Sequence, residues 1–184
     1  HVYTTAKGPQ LMTTQEILEE CQKTQELYNE RTRGNVALYF RGADAKASST
    51  RGPYSKDMVS HYCDSLNAID DNLQTSWWPK KEKEPWLEVT LPGKHKVDRI
   101  VVISSYAYFG SGLHPDNYDN PELLQTRGYR LQYWDGKGWK TITHVMNNRK
   151  RIRTHKFPPV VTERFRFVMT DGRRLTGIEI YGSA

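Results

Sequence analysis

The chain has 184 residues, and 27 Lys and Arg against 21 Asp and Glu give a formal net charge of +6 with histidines neutral. That length suits one domain with a short extension, and its 11 Tyr, 5 Trp and 5 Phe are more aromatic residues than a disordered chain carries. No apolar run nears the ~18 residues that cross a bilayer as a helix, so a transmembrane protein, a coiled coil and a disulfide scaffold are not expected.

Residues 1–12 carry no period and read as a tail; they lack the apolar segment of a signal peptide. Without a starting Met, the chain reads as a piece excised from a longer protein. Thr13-Thr14-Gln15-Glu16 has the form of a capping box. Behind it Ile17, Leu18, Cys21 and Tyr28 fall on one side at helical spacing, with Glu19 and Lys23 as an i,i+4 pair. Gly34 suits the stop. The spacing predicts an amphipathic helix over 14–31 and a boundary at Gly34/Asn35. Cys21 and Cys63 either pair, which would suit a secreted protein, or remain two free thiols.

From Val36 onward the period becomes two. Val36–Phe40, Trp86–Leu91, Val97–Ile103, Tyr129–Trp134, Trp139–Val145, the run near 151–157, Glu163–Met169 and Thr176–Tyr181 read as strands. Pro92-Gly93 and Asp135-Gly136-Lys137-Gly138 are the turns between neighbours. Trp86, Glu88 and Thr90 share one face, and Leu87, Val89 and Leu91 the other. So many short strands without alternating helices predict an all-β antiparallel sandwich. Residues 41–85 and 104–127 are long and strand-poor; loops of that length in a domain are commonly functional. Trp77 and Trp86 are expected in the core.

The charge is uneven. Between Gly136 and Thr162 no acidic residue occurs, yet Lys137, Lys140, Arg149, Lys150, Arg151, Arg153 and Lys156 do. The remaining 20 basic residues face 21 acidic ones, so the rest of the chain is nearly neutral. Such a stretch either attracts sulfated or uronic glycans, anionic lipid or nucleic-acid phosphate, or is a solvated face that keeps the protein soluble. As a strand it puts Arg149, Arg151, Arg153 and His155 on one side. Phe157, expected in the core, has the same parity, which calls for a bulge or bend near Lys156 or a later strand start.

The order of these signals resembles the discoidin, or coagulation factor 5/8 type C, superfamily, which includes many galactose-binding-like carbohydrate-binding modules. The residues that carry the resemblance are Asn35-Val36-Ala37, Ala45–Ser49, Asn67–Trp78, Pro85–Leu91, Tyr129–Tyr133 with the Asp135-Gly136 turn, Arg164–Val168 and Ile178–Gly182. It spans residues 35–184 and implies a jelly-roll sandwich of about eight strands preceded by one α-helix, 1–34 being a linker or brace. The implied function is a non-catalytic carbohydrate-binding module that targets a larger secreted or surface protein to glycans, anionic polysaccharides among them. An adhesion module for phospholipid or a protein partner is the alternative. The isolated domain is expected to be an extracellular monomer.

The resemblance also implies a structural calcium in the Asp70–Trp77 segment. By position Asp70 would supply a carboxylate, Thr75 a hydroxyl and carbonyl, and Asn67 and Asn72 backbone oxygens. Asp71 stands where the family usually has Gly, and Gly177 where a late Glu often completes the set; Glu179, two residues on, shares its strand face. The other reading is that Asp70 caps its own turn.

A sugar cleft needs an aromatic platform and planar polar groups aimed at hydroxyls. Tyr106, Tyr108, His114, Tyr118 and Arg127 from the second long loop, Trp78 from the first, and Arg149 and Arg151 beyond Asn147-Asn148 are the candidates. No nucleophile elbow, metal-protease or phosphate-loop motif occurs, so catalysis is not expected. Nucleic acid is not expected either, since only Trp139 and Phe157 interleave the basic stretch.

Overall fold

A computed structural model describes residues 3–5, 8–51, 63–105 and 124–182, and the chain divides into two units, His1–Gly34 and Asn35–Ala184. In the first unit β1 (Tyr3–Thr5) and β2 (Gly8–Gln10) form an antiparallel hairpin. The sequence shows no period there because three residues are too few to display one. Helix α1 (Thr14–Arg31) starts with the expected capping box: the Glu16 N–H donates to Thr13 Oγ1 at 3.3 Å, and the Thr13 N–H to Glu16 Oε2 at 2.7 Å. Glu19 accepts from Gln15 Nε2 at 2.9 Å, and Gln22–Glu26 and Gln25–Asn29 continue this i,i+4 ladder, so amides brace the helix where an ion pair to Lys23 was expected. The helix ends at Thr32, whose hydroxyl donates to the Tyr28 carbonyl at 2.8 Å. Gly34 follows at φ 80°. Cys21 and Cys63 are both free thiols, the first exposed and the second buried.

In the second unit the strands are β3 (Asp44–Ala47), β4 (Trp86–Ser104), β5 (Thr126–Trp134), β6 (Trp139–Val145), β7 (Ile152–Gly172) and β8 (Leu175–Tyr181). They pair in the order β3-β4-β7-β5-β6, with β8 also on β4. Four stretches that read as separate strands are thus the halves of two long ones. Both long strands bend where their mutual register shifts, between Thr90 and His95 and between Val97 and Arg99. The bend folds the sheet over. One layer holds β3, the first half of β4, the end of β7, β5 and β6. The other holds the start of β7, the second half of β4, and β8.

The inward side chains of both layers, among them Leu87, Val89, Phe165, Phe167, Ile100, Val102, Ile178 and Ile180, share one buried cluster. This is the expected antiparallel jelly-roll sandwich. The expected strand Val36–Phe40 is instead a bridge at Asn35 and a 3₁₀ turn, Tyr39–Arg41, closed by Gly42 at φ 91°. Conversely the strand-poor stretch 41–85 contains β3, which its sequence did not single out. Trp77 is fully buried, but Trp86 is only half-buried, since it has the outward parity of Glu88 and Thr90. Glu88, although outward, is covered: Arg164 Nε donates to its Oε1 at 2.8 Å while the same guanidinium lies 4.9 Å from the Trp134 ring.

The basic stretch does not form one patch. Lys137 sits at the tip of the β5–β6 hairpin, where the Asp135 carboxylate accepts from two backbone N–H groups at 2.8 Å. Arg149 and Arg151 lie in the connection before β7, beside the opposite end of β5. Eight residue steps along β5 put the tip ~25 Å from that connection. Arg151, Arg153, His155 and Phe157 all have the inward parity and are half-buried, and Ile152, Thr154 and Lys156 point to solvent. Phe157 therefore needs no bulge to reach the core; the irregularity comes one residue later, through Pro158-Pro159.

His155 Nε2 lies 2.8 Å from the hydroxyl of the fully buried Tyr129. Burial, then the Arg153 charge, hold the imidazole below its ordinary pKa. A group whose folded pKa lies under its unfolded value binds more protons when unfolded, so its stability contribution is complete above about pH 6.5 and is lost as the pH falls through that value. Urea midpoints should accordingly drop between pH 7.5 and 5, and His155→Gln should flatten that dependence.

Candidate functional site

Because β4 and β7 each bend back on themselves, their ends meet at one end of the sandwich. Ala47, Trp86, Ser104, Thr126, Val145, Ile152, Gly172 and Leu175 all terminate or begin strands there, as the registers Ala47↔Leu87, Trp86↔Val168, Ile103↔Ile152 and Thr126↔Gly172 require. The connections between those strands are therefore gathered at that end.

A buried polar clamp ties the connections together. The Gln125 N–H donates to the Ser105 carbonyl at 2.7 Å, joining the two described segments that end at Ser105 and begin at Leu124. Asn148, 2% exposed, donates through Nδ2 to Ser104 Oγ at 3.1 Å, to the Thr126 carbonyl at 3.0 Å and to the Lys150 carbonyl at 2.9 Å. The Thr126 hydroxyl donates to the Arg174 carbonyl, and Ser105 Oγ bonds Ser76 Oγ at 2.7 Å and Thr176 Oγ1 at 2.6 Å. Gly172, at φ 150°, lets its backbone pass where a Cβ would lie 2.2 Å from the Gln125 carbonyl. These residues set the loop bases, yet sequence reading passed over them, since Ser, Thr and Asn in loops carry no period. Asn147 at φ 52° is the one local sign, an Asn-Asn pair being suited to a left-handed turn.

Among the expected ligand residues, Arg127, Arg149 and Arg151 come together around the clamp. Asn148 N–H donates to the Arg127 carbonyl and Ser104 N–H to the Arg151 carbonyl, each at 2.7 Å. Arg127 Nε also lies 3.9 Å from the Asp171 carboxylate. Arg149 is exposed and Arg151 half-buried. Trp78 is not an open platform: it is 7% exposed, with the Arg174 and Arg51 guanidiniums 3.8 and 4.3 Å from its ring centroid. Tyr106, Tyr108, His114 and Tyr118 lie outside the described residues.

Beside Trp78 a cleft of about 880 Å³ opens between residues 78–85 and 169–173. Arg51, Lys80, Lys81, Lys83 and Arg173 line it, against three acids. Each acid is engaged. Glu82 accepts from the Ser48 hydroxyl at 2.7 Å and from Ser49; Glu84 takes a two-pronged bond from Arg130 at 2.9 and 3.1 Å; Asp171 faces Arg127. The Arg130 contact holds the Glu84 carboxyl below its ordinary pKa.

In the loop expected to hold calcium, Thr75 Oγ1 lies 2.5 Å from Asp70 Oδ2, 3.1 Å from the Asn72 carbonyl and 3.5 Å from the Asn67 carbonyl. The Asn72 N–H donates to Asp70 Oδ1 at 3.0 Å, so Asp70 does cap its own turn. Burial nevertheless pushes its carboxyl above the ordinary range, against the pull of Thr75. Glu179 instead accepts from the Tyr181 hydroxyl at 2.7 Å. Among the described residues no three His, Cys, Asp or Glu stand together, so an ion in this loop would draw mainly on carbonyl and hydroxyl oxygens.

Fold and registers define a jelly-roll β-sandwich whose strand ends gather at one end. The chain belongs to the F5/8 type C family, whose model, described as a NedA-like, galactose-binding domain, matches residues 67–167. Among solved structures it is similar to chitosan-binding module 1 of a chitosanase/glucanase from Paenibacillus sp. IK-5, at 21% identity and TM-score 0.58, covering 80% of this chain and 98% of that one. It is also similar to the family 32 module of Clostridium perfringens NanJ, solved with galactose, at 17% identity and TM-score 0.59, with coverages of 80% and 98%. The family 32 module of Streptococcus pneumoniae EndoD matches at 16% identity and TM-score 0.59, with coverages of 81% and 99%. No curated protein sequence matches the chain. Among the described residues no helix is long and apolar enough to cross a membrane.

Proposed function

We propose that this chain is a non-catalytic glycan-binding module, acting at the loop end of its sandwich and holding a larger extracellular or cell-surface protein on its target. What carries the reading is the gathering of the long connections at one clamped end, in a family whose similar structures include modules solved with galactose and with chitotriose. A clamped base keeps the loop side chains in place before the ligand arrives, which lowers the entropy lost on binding. Exposed Arg149 and half-buried Arg151 offer planar donors for hydroxyl, carboxylate or sulfate oxygens. Single-site affinity is modest, because small polar ligands bury little surface, and tethering supplies the gain through local concentration. A glycan array of neutral and acidic sugars tests this: binding should appear and weaken in Arg149→Ala and Tyr108→Ala. A folded protein silent across the array removes the reading.

Calcium in the 67–75 loop belongs to the same proposal. The Asp70 carboxylate, the Thr75 hydroxyl and the Asn67 and Asn72 carbonyls already converge on one another. A cation there would neutralise a half-buried carboxylate and fix the loop. With Gly177 at the position of the late acid, the site is weaker than a full carboxylate set. Saturating calcium should raise Tm by about 3–6 °C over chelator, and Asp70→Asn should abolish the rise. An unchanged Tm excludes a tightly held ion.

A further inference from the structure

We infer that the cleft between residues 78–85 and 169–173 is a subsite for an acidic saccharide, read through Lys80, Lys81 and Arg173; this rests on the glycan-binding reading and assigns its ligand class. The cleft holds five cations and three carboxylates, and the carboxylates are turned to other work. Serine hydroxyls hold Glu82, Arg130 holds Glu84 from outside the cleft, and Asp171 faces Arg127. The side chains of Lys80, Lys81 and Arg173 are exposed, and none makes an ion pair or side-chain hydrogen bond to a described residue. Five cations outnumber three carboxylates, and two of those carboxylates face arginines, so the potential inside is positive even though the composition of the wall is mixed.

A second observation points the same way. Arg51 and Arg174 are both stacked against the one indole of Trp78, and Arg174 Nε is buried without a hydrogen-bond partner among the described residues. The Arg174 guanidinium on that ring adds positive charge behind the wall that Trp78 forms, beside the exposed Lys80, Lys81 and Arg173. The cleft volume of about 880 Å³ accommodates several sugar rings, where a lone inorganic anion would leave most of it empty. The Arg173 N–H donates to the Gln125 carbonyl at 2.6 Å, which joins the cleft wall to the base of the loop end. A chain crossing that end would enter the cleft with its carboxylate or sulfate groups toward Lys81 and Arg173.

The test is titration calorimetry with a heparin-derived tetrasaccharide, neutral chitotriose and inorganic sulfate. Lys81→Glu/Arg173→Glu changes two exposed cleft residues, and Lys94→Glu/Lys137→Glu makes the same change of net charge at the other end of the sandwich. The tetrasaccharide should bind more tightly than chitotriose, weaken on added salt, and lose about tenfold or more in the cleft variant while staying within about twofold in the other. Equal losses in both variants, or none in the cleft variant, overturn the subsite, as does competition by sulfate at the concentrations where the tetrasaccharide binds. Neutral sugars bound as before by wild type would leave the glycan reading standing while the subsite falls.

Discussion

Trp77→Ala is expected to lower the unfolding free energy by about 4 kcal/mol, seen as a reduced urea midpoint at unchanged m. The indole is fully buried where the two layers meet at the loop end, edge-on to Phe167 with centroids 6.5 Å apart. Its Nε1 donates to the Ser49 carbonyl at 3.0 Å, while its backbone exchanges two bonds with Leu175, at 2.8 and 3.0 Å. Alanine keeps the backbone pair but leaves a cavity and an orphaned carbonyl, and both add to the cost. Trp77→Phe, which fills most of the space and lacks only the donor and one ring, should cost about half as much. A loss under about 1 kcal/mol in the alanine variant would contradict the packing described.

Asn148→Ala should cost about 3 kcal/mol and abolish glycan binding even where the protein stays folded. No other described side chain reaches Ser104, Thr126 and Lys150 at once, so truncation takes a donor from the buried Ser104 hydroxyl and Thr126 carbonyl and from the part-buried Lys150 carbonyl. The bases of two loops are then released from each other, and the ligand must supply the ordering that the clamp supplied before. Asn148→Asp is a sharp control: it keeps the acceptor that meets the Lys150 N–H at 3.1 Å, but faces the Thr126 carbonyl with a carboxylate. It should fail as badly as alanine. Stability by urea and affinity by calorimetry read the two effects separately; a destabilised variant with intact affinity would show that the clamp is structural only.

Where local pattern suffices, the sequence is legible. Thr13 and Glu16 form their box, Asp135 and Gly136 turn their hairpin, and Leu87, Val89 and Leu91 face the core. It misleads where a strand passes through a bend. Pro92-Gly93 reads as the end of a strand, yet pairing with β7 resumes on its far side at His95, so β4 continues. It also misleads at Val36–Phe40, where an apolar run spends its hydrogen bonds in a 3₁₀ turn and leaves Phe40 exposed. The site is less legible than the fold. Arg127, Arg149 and Arg151 could be chosen as planar cations, but the serines, threonines and asparagine that fix the loop bases come from five separate stretches of chain.

Charge shows the same division. Counting alone established that +7 lies between Gly136 and Thr162 and that the remainder is nearly neutral. Those residues are then spread from the β5–β6 hairpin tip, through the connection before β7, to the first few residues of β7, because a strand carries consecutive residues apart at ~3.3 Å a step. The concentrated positive cleft comes instead from the nearly neutral remainder, where Lys80, Lys81 and Arg173 converge while Glu82 and Glu84 are held by other partners. Alternation, caps and turns are local interactions, so the sequence by itself determined an all-β sandwich with one capped helix. Which charges stand free depends on pairings between residues far apart in the chain, and only the tertiary structure decided those.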